Sequence, residues 1–218
     1  MIKVVLFDLD GTLIDTEKFT VSSKIIEGKK YGFKVKREDV LLSLGMSKEN
    51  SKKHYTSIYG DNFPVEILAK ERFNYIVRDM KKHGIKLKPY VKKIINYCKK
   101  NDIKIGICTS TTSEKIEEYM KYGDLFSHFD FIVTGDQIVN GKPSPDIFLK
   151  GLELSGFSKD EALIIEDNNV GVEAGLNSGI EVIMIPDLVL PQGRTLTQRV
   201  KVYKNLNEVI QFIDCVNK

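Results

Sequence analysis

The chain reads as an α/β protein, a doubly wound parallel sheet interrupted after its first strand by one block of helices. Three observations predict it. Short apolar runs rich in β-branched residues recur at 2–8 (IKVVLFD), 103–108 (IKIGIC), 131–133 (FIV), 162–165 (ALII) and 180–185 (IEVIMI). Their apolar residues are consecutive rather than alternating, as expected of strands buried on both faces. Helical patterns separate most of these runs, which is the alternation of an α/β sheet, whereas residues 16–84 carry helical patterns alone.

After the first run, residues 17–31, 37–44 and 47–59 have helical character, and Val65, Leu68, Ala69, Phe73, Ile76, Val77 and Met80 trace one face of a further helix. Pro89 suits a first helical position, with Val91, Ile94, Ile95 and Cys98 next at helical spacing. Ser144-Pro145 reads as a cap and a first-turn proline leading into Ile147, Phe148 and Leu152. Residues 186–199 (PDLVLPQGRTLTQR) read as a long surface loop. The expected division is a core of 1–15 and 85–218 and a helical insert of 16–84, hinged near Asp15-Thr16 and His83-Gly84.

Composition narrows the function classes. With 218 residues, 42% of them hydrophobic, and a net charge of only +3, the chain has enough apolar surface for a sizeable core and is not disordered. Three cysteines without a Cys-x-x-Cys pair exclude a disulfide framework and a zinc ribbon. No apolar run approaches the roughly 18 residues of a membrane span, and the first one is too short for a signal peptide, so the expected compartment is the cytoplasm and no membrane partner is expected. The insert holds 15 Lys/Arg against 9 Asp/Glu, a balance of +6, while the remainder holds 18 against 21. That basicity is too mild, and too poor in interleaved aromatics, for a nucleic-acid partner. It suits attraction of small anions to an acidic core. A monomer is expected.

The chemistry concentrates where the apolar runs end. Phe7-Asp8-Leu9-Asp10-Gly11-Thr12-Leu13 closes the first run with two carboxylates two residues apart. In extended backbone both project to one side, toward the crevice at the carboxyl edge of the sheet where ligands bind. Like charges this close call for a compensating cation, and Mg²⁺ prefers such oxygen ligands. Cys108-Thr109-Ser110-Thr111 offers hydroxyls and N–H groups to a phosphoryl oxygen. Gly141-Lys142-Pro143 places an ammonium before a helix, where it can neutralise both carboxylate and phosphate. Glu166 and Asp167 end another apolar run, and either can complete an oxygen cage around Mg²⁺. His54, His83 and His128 stand alone and read as surface or packing residues.

These four stretches, DLDGTLIDTE, CTST, GKPSPD and IIEDNNVGVEAG, occur in the order and spacing of the haloacid dehalogenase-like superfamily, and the resemblance spans residues 2–185. The chain is most similar to the subgroup with a helical cap after the first motif, which includes β-phosphoglucomutase and many small-molecule phosphatases. The resemblance implies a Rossmann-like core with a mobile cap. It implies Asp8 as the nucleophile that forms an aspartyl-phosphate and Asp10 as the general acid and base. Mg²⁺ would be held by Asp8, the Asp10 carbonyl and Asp167, with Glu166 beside them. Thr109 and Lys142 would hold the phosphoryl group, helped by the backbone of Leu9 and Ser110. Relatives that remove halide lack the second aspartate, so Asp10 speaks for phosphate chemistry.

Two positions depart from the mutase pattern. The mutases carry Gly-x-Ser-Arg in the cap, with the arginine on the non-transferring phosphate; here the string is Gly45-Met46-Ser47-Lys48, and Lys48 lacks the bidentate fork. Thr20 stands where they have a histidine. Both departures favour a Mg²⁺-dependent phosphatase acting on a small phosphorylated metabolite, a sugar phosphate foremost, over a sugar phosphomutase. A non-catalytic phospho-acceptor is the third reading, and it has no need of Asp10.

Overall fold

Strand β1 (Val4–Phe7) is buried at every residue, and its side chains divide between two cores. Val5 and Phe7 join one hydrophobic cluster while Val4 and Leu6 join another. β4 (Ala162–Glu166) divides the same way, with Leu163 and Ile165 on the first side and Ala162 and Ile164 on the second. Apolar residues at every position therefore mean a strand covered on both faces. With β2 (Lys104–Cys108), β3 (Phe131–Val133), β5 (Glu181–Met184) and β6 (Lys201–Val202) they form one parallel sheet in the order β3-β2-β1-β4-β5-β6. This is the Rossmann-like α/β architecture expected, in a computed structural model that describes residues 1–198 and 200–218.

Four helices lie between β1 and the rest: α1 (Glu17–Lys30), α2 (Arg37–Leu42), α3 (Lys48–Tyr59) and α4 (Val65–His83). Beyond them come α5 (Val91–Lys100), α6 (Ser113–Met120), α7 (Asp146–Ser155), α8 (Asn169–Ser178), the single turn α9 (Arg194–Thr197) and α10 (Leu206–Asn217). α5 and α10 cover the first face of the sheet through Val91, Ile94, Ile95 and Cys98 and through Leu206, Val209, Ile210 and Ile213. α7 and α8 cover the second through Ile147, Phe148, Val172 and Ala174. The α1–α4 block has a small core of its own, Val21, Val35, Val40, Tyr55, Phe63 and Leu68. Ile76 and Met80 of α4 pack instead into the first core, so one helix serves both. The chain enters and leaves this block side by side: Asp15 N–H donates to Lys86 O and Lys88 N–H to Leu13 O, both at 2.9 Å.

Several local expectations shift. Pro89 is not the first helical residue: Tyr90 takes the N-cap position in left-handed backbone (φ 68°), and Pro89 lies in the turn before it, closed by Val91 N–H on Lys88 O (3.4 Å). Pro145, not Ser144, is the N-cap residue of α7; Phe148 and Leu149 both donate to its carbonyl, and Ser144 Oγ donates to Asp146 Oδ1 at 2.6 Å. The expected 186–199 loop contains α9, with Thr195 buried and bonded to Asn169; Arg199 lies outside the described residues. β6 and α10 are additions to the elements that the sequence pattern predicts. α10 is nonetheless a regular amphipathic helix, opened by Asn205 accepting from two backbone N–H groups.

Candidate active site

Strand order reverses between β1 and β4, which is where an open α/β sheet leaves a crevice at its carboxyl edge. Sheet hydrogen bonding continues past the strand ends into the loops. Asp8 N–H donates to Ile165 O (3.0 Å) and Thr109 N–H to Val133 O (3.0 Å). Asp8, Thr109 and Glu166 are thereby held level at one edge.

Lys142 lies at the centre. It is fully buried, and its Nζ donates to Asp8 Oδ1 and Glu166 Oε1, both at 2.6 Å, and to Cys108 O at 3.2 Å. All three ammonium protons are used. Burial alone would pull this lysine down, but Asp8 and Glu166 outweigh it and raise it above the usual lysine range. Asn50 of α3 reaches across to bond the Lys142 carbonyl at 3.0 Å.

Asp8, Glu166 and Asp167 are all buried and present carboxylate oxygens within 4.8 Å of one another. Burial, with the charge of Glu166, pushes Asp8 well above the usual carboxylate range; burial, with Asp8 and Glu166, does the same to Asp167. Asp167 Oδ1 accepts from Asn168 Nδ2 (2.9 Å), while its buried Oδ2 has no hydrogen-bond partner among the described residues. Fully ionised, three carboxylates against one ammonium carry two excess negative charges, which burial opposes and a bound cation would offset. An all-oxygen donor set, an orphaned carboxylate oxygen and a charge of −2 fit a hard divalent cation. Gly11 completes the cradle: its φ is +89°, and a Cβ there would overlap Asp167 Oδ2. Asn168 caps α8 through Gly171 N–H (2.9 Å) and holds both acids with its amide.

Asp10 lines the same cavity, but its side chain stands apart from this cluster. Continued extension past Asp8 would have aimed both carboxylates alike; instead the chain turns after Leu9, and only Asp8 joins the acids. Asp10 Oδ2 accepts from Thr111 Oγ1 (2.8 Å), and Oδ1 accepts from Thr16 Oγ1 and from Arg72 (3.3 Å). Its side chain is therefore not a member of the metal set; only its carbonyl remains for that role. The Leu9 side chain is buried in the first core and its carbonyl accepts from Leu13 and Ile14, which leaves its N–H as the backbone group open to a ligand.

A cavity of about 600 Å³ opens above these groups, between the sheet edge and helices α1, α3, α4 and α6. Thr109, Ser110, Thr20 and Lys48 all line it. Thr109 is buried, with its Oγ1 accepting from Thr111 N–H at 3.1 Å. Ser110 Oγ bonds Gly45 O (3.2 Å), and Gly45 lies so close to Asn168 that a Cβ would overlap its amide. Lys48 opens α3 and is exposed. Thr20 accepts from Arg72 Nε.

Arg72 is a site residue that no sequence motif marks. It joins Asp10, Thr20 and, at 3.9 Å, Glu17. Burial would lower this guanidinium, but Asp10 and Glu17 prevail and raise it. Its one sequence signal is the four-residue row Leu68, Arg72, Ile76, Met80 on α4, a charge where helical spacing asks for an apolar residue. Thr111 and Asn168 are further additions to the site, although both sit inside motifs that the sequence displays.

The model of the haloacid dehalogenase-like hydrolases matches residues 5–185. A pyrophosphatase from Bacillus mycoides is 32% identical over 187 residues, covering 84% of this chain and 83% of its own. A phosphorylated carbohydrates phosphatase from Thermotoga maritima is 31% identical over 189 residues, 82% of each chain. The fold matches the crystal structure of a β-phosphoglucomutase from Clostridium difficile with a TM-score of 0.79, at 21% identity over 98% of this chain and 96% of that one. By this match over most of its length, this chain belongs to the haloacid dehalogenase-like hydrolase family, as an enzyme of phosphoryl transfer.

Proposed function

We propose that the chain is a Mg²⁺-dependent phosphatase that hydrolyses a small phosphorylated metabolite, a sugar phosphate foremost, with Asp8 as nucleophile. The observation that carries this is the buried Asp8–Lys142–Glu166–Asp167 cluster, whose Asp8 lines a cavity of about 600 Å³. That volume is the size of a metabolite site. The helical block of 16–84 is its cap, and contacts such as Ser110 to Gly45 and Asn50 to Lys142 hold it in the closed position. A closed cap excludes water other than the reacting one.

Asp8, the Asp10 carbonyl and Asp167 would hold Mg²⁺, with Glu166 beside them. When bound, the ion neutralises charge on the phosphoryl oxygens and on the carboxylates. Lys142 opposes the rise that burial imposes on Asp8 and orients its carboxylate through the 2.6 Å hydrogen bond. An Asp8 oxygen attacks phosphorus as the bond to the leaving oxygen breaks, and Asp10 in its protonated form gives that oxygen a proton. A water then attacks phosphorus, Asp10 takes its proton, and inorganic phosphate leaves while Asp8 is restored. Arg72 and Thr111 fix the position of the Asp10 carboxylate for both steps. Thr109 and Ser110 supply hydroxyl and N–H donors to the phosphoryl oxygens.

The test monitors inorganic phosphate and glucose 6-phosphate together, with Mg²⁺ and a panel of sugar phosphates that includes β-glucose 1-phosphate. Phosphate release that disappears in Asp8→Asn supports the reading. Conversion to glucose 6-phosphate without net phosphate would make the protein a mutase, and unchanged rates in Asp8→Asn would remove Asp8 from the mechanism.

A further inference from the structure

Helix α1 carries a lysine on its inner side. Lys24 is only 9% exposed, yet it lines the cavity. Its Nζ donates to Tyr55 Oη at 3.0 Å and to Ser43 Oγ at 3.3 Å, and lies 4.5 Å from the centre of the Tyr55 ring. Those two hydroxyls are bonded to each other at 2.7 Å, and the Ser43 hydroxyl donates to Val40 O at 2.8 Å. An ammonium has three protons; two are given to neutral oxygens and one is left for an occupant of the cavity. Among the described residues no carboxylate lies within 4.0 Å of it. Lys142, fully buried, is by contrast matched by two carboxylates, and the exposed Lys48 can be matched by solvent ions.

A buried charge without a counter-charge is costly, and a ligand that supplies one recovers that cost. Burial accordingly pulls Lys24 down to about 7, with repulsion from Arg72 adding to the fall and Glu17 opposing it. We propose that Lys24, framed by Ser43 and Tyr55, is a specificity subsite for an anionic oxygen group at the end of the substrate remote from the transferred phosphoryl group. The substrate is then a phosphate monoester with a second acidic group rather than one with a neutral tail. This rests on the phosphatase reading for its place in catalysis, though not for the binding itself.

Matched pairs test it: ethyl phosphate against phosphoglycolate, and fructose 1-phosphate against fructose 1,6-bisphosphate. The wild type prefers the doubly acidic member of a pair in kcat/KM. Lys24→Met lowers that preference at least tenfold, chiefly through KM, and Lys24→Arg keeps it. Lys24→Gln, which can still bond the two hydroxyls, gives the same readout where the Met variant does not fold. Calorimetric titration of the same four compounds into Asp8→Asn, with and without the Lys24 substitution, measures the subsite without turnover. Failure of every compound to be hydrolysed overturns the phosphatase reading alone. An equal loss for both members of a pair, or an unchanged preference in folded Lys24→Met, overturns the subsite.

Discussion

Replacing Lys142 by Met tests what holds the site together. The substitution conserves length and apolar stem while removing two hydrogen bonds of 2.6 Å to fully buried carboxylates. Breaking one buried pair costs about 3–5 kcal/mol, because the partner is left charged and dry. One ammonium serves both acids here, so the cost is not doubled. In a protein of this size about 1 kcal/mol moves the melting temperature by 2–4 °C, so the expected loss is about 10 °C at pH 8 in EDTA. The pH dependence identifies the cause. Asp8 and Asp167 already have raised values in the folded protein. Their contribution to stability is complete below the unfolded value of about 4 and is lost as pH rises. Lys142 itself stays charged across this range, since its own value is raised. Without it Asp8 has still more reason to bind a proton, so the gap to wild type narrows from pH 8 to pH 5. Mg²⁺ at about 100 times its Kd returns about 2.7 kcal/mol. Calorimetric melts at both pH values, with and without Mg²⁺, measure all of this. A variant as stable as wild type at pH 8, or an equal gap at pH 5, refutes the reasoning.

Other perturbations separate the remaining roles. Asp10→Asn is expected to lower kcat about 10²- to 10⁴-fold, the range of general acid–base catalysis, with its near-UV spectrum unchanged. Arg72→Met is expected to lower kcat less than Asp10→Asn and to shift the pH–rate profile, with partial rescue by Arg72→Lys; an unchanged profile would leave Arg72 a packing residue only. Asp167→Asn should raise the Mg²⁺ concentration for half-maximal activity by more than about tenfold, since even loss of an outer-sphere partner costs 10–100-fold. Gly11→Ala introduces a side chain at φ +89° against Asp167, with strain of about 1–3 kcal/mol; it should weaken Mg²⁺ affinity and lower the melting temperature together.

The sheet is legible in the sequence because burial on both faces leaves no other composition. Val4 to Phe7 and Ala162 to Ile165 are apolar at every position, since alternate side chains meet different helical layers. The far end is less so. β6 is two residues long and exposed, too little to impose a pattern on Lys201-Val202. The helix starts near Pro89 and Pro145 shift by one or two residues because proline fits the turn or cap before a first turn as well as the turn itself.

The acids of the site are legible for a related reason. Asp8, Glu166 and Asp167 lie directly at strand ends, so the sheet's register alone brings them within 4.8 Å. Lys142 is near them because its loop is short and leads into α7, which packs on the same sheet. The groups contributed by α1 and α4 obey no such rule. Arg72 is 62 residues from Asp10 and Lys24 is 31 from Tyr55, and which helix face looks into the cavity depends on how the block sits over the core. A charge on an otherwise apolar helix row is the only local mark of such a residue, and Arg72, between Leu68 and Ile76, bears it. Its buried guanidinium is tolerable because Asp10 and Glu17 lie opposite. The same link ties the block to the residue proposed as general acid and base. Withdrawal of α4 would strip Asp10 of its contact with Arg72, so the position of the Asp10 carboxylate and the seating of the block over the core depend on one another.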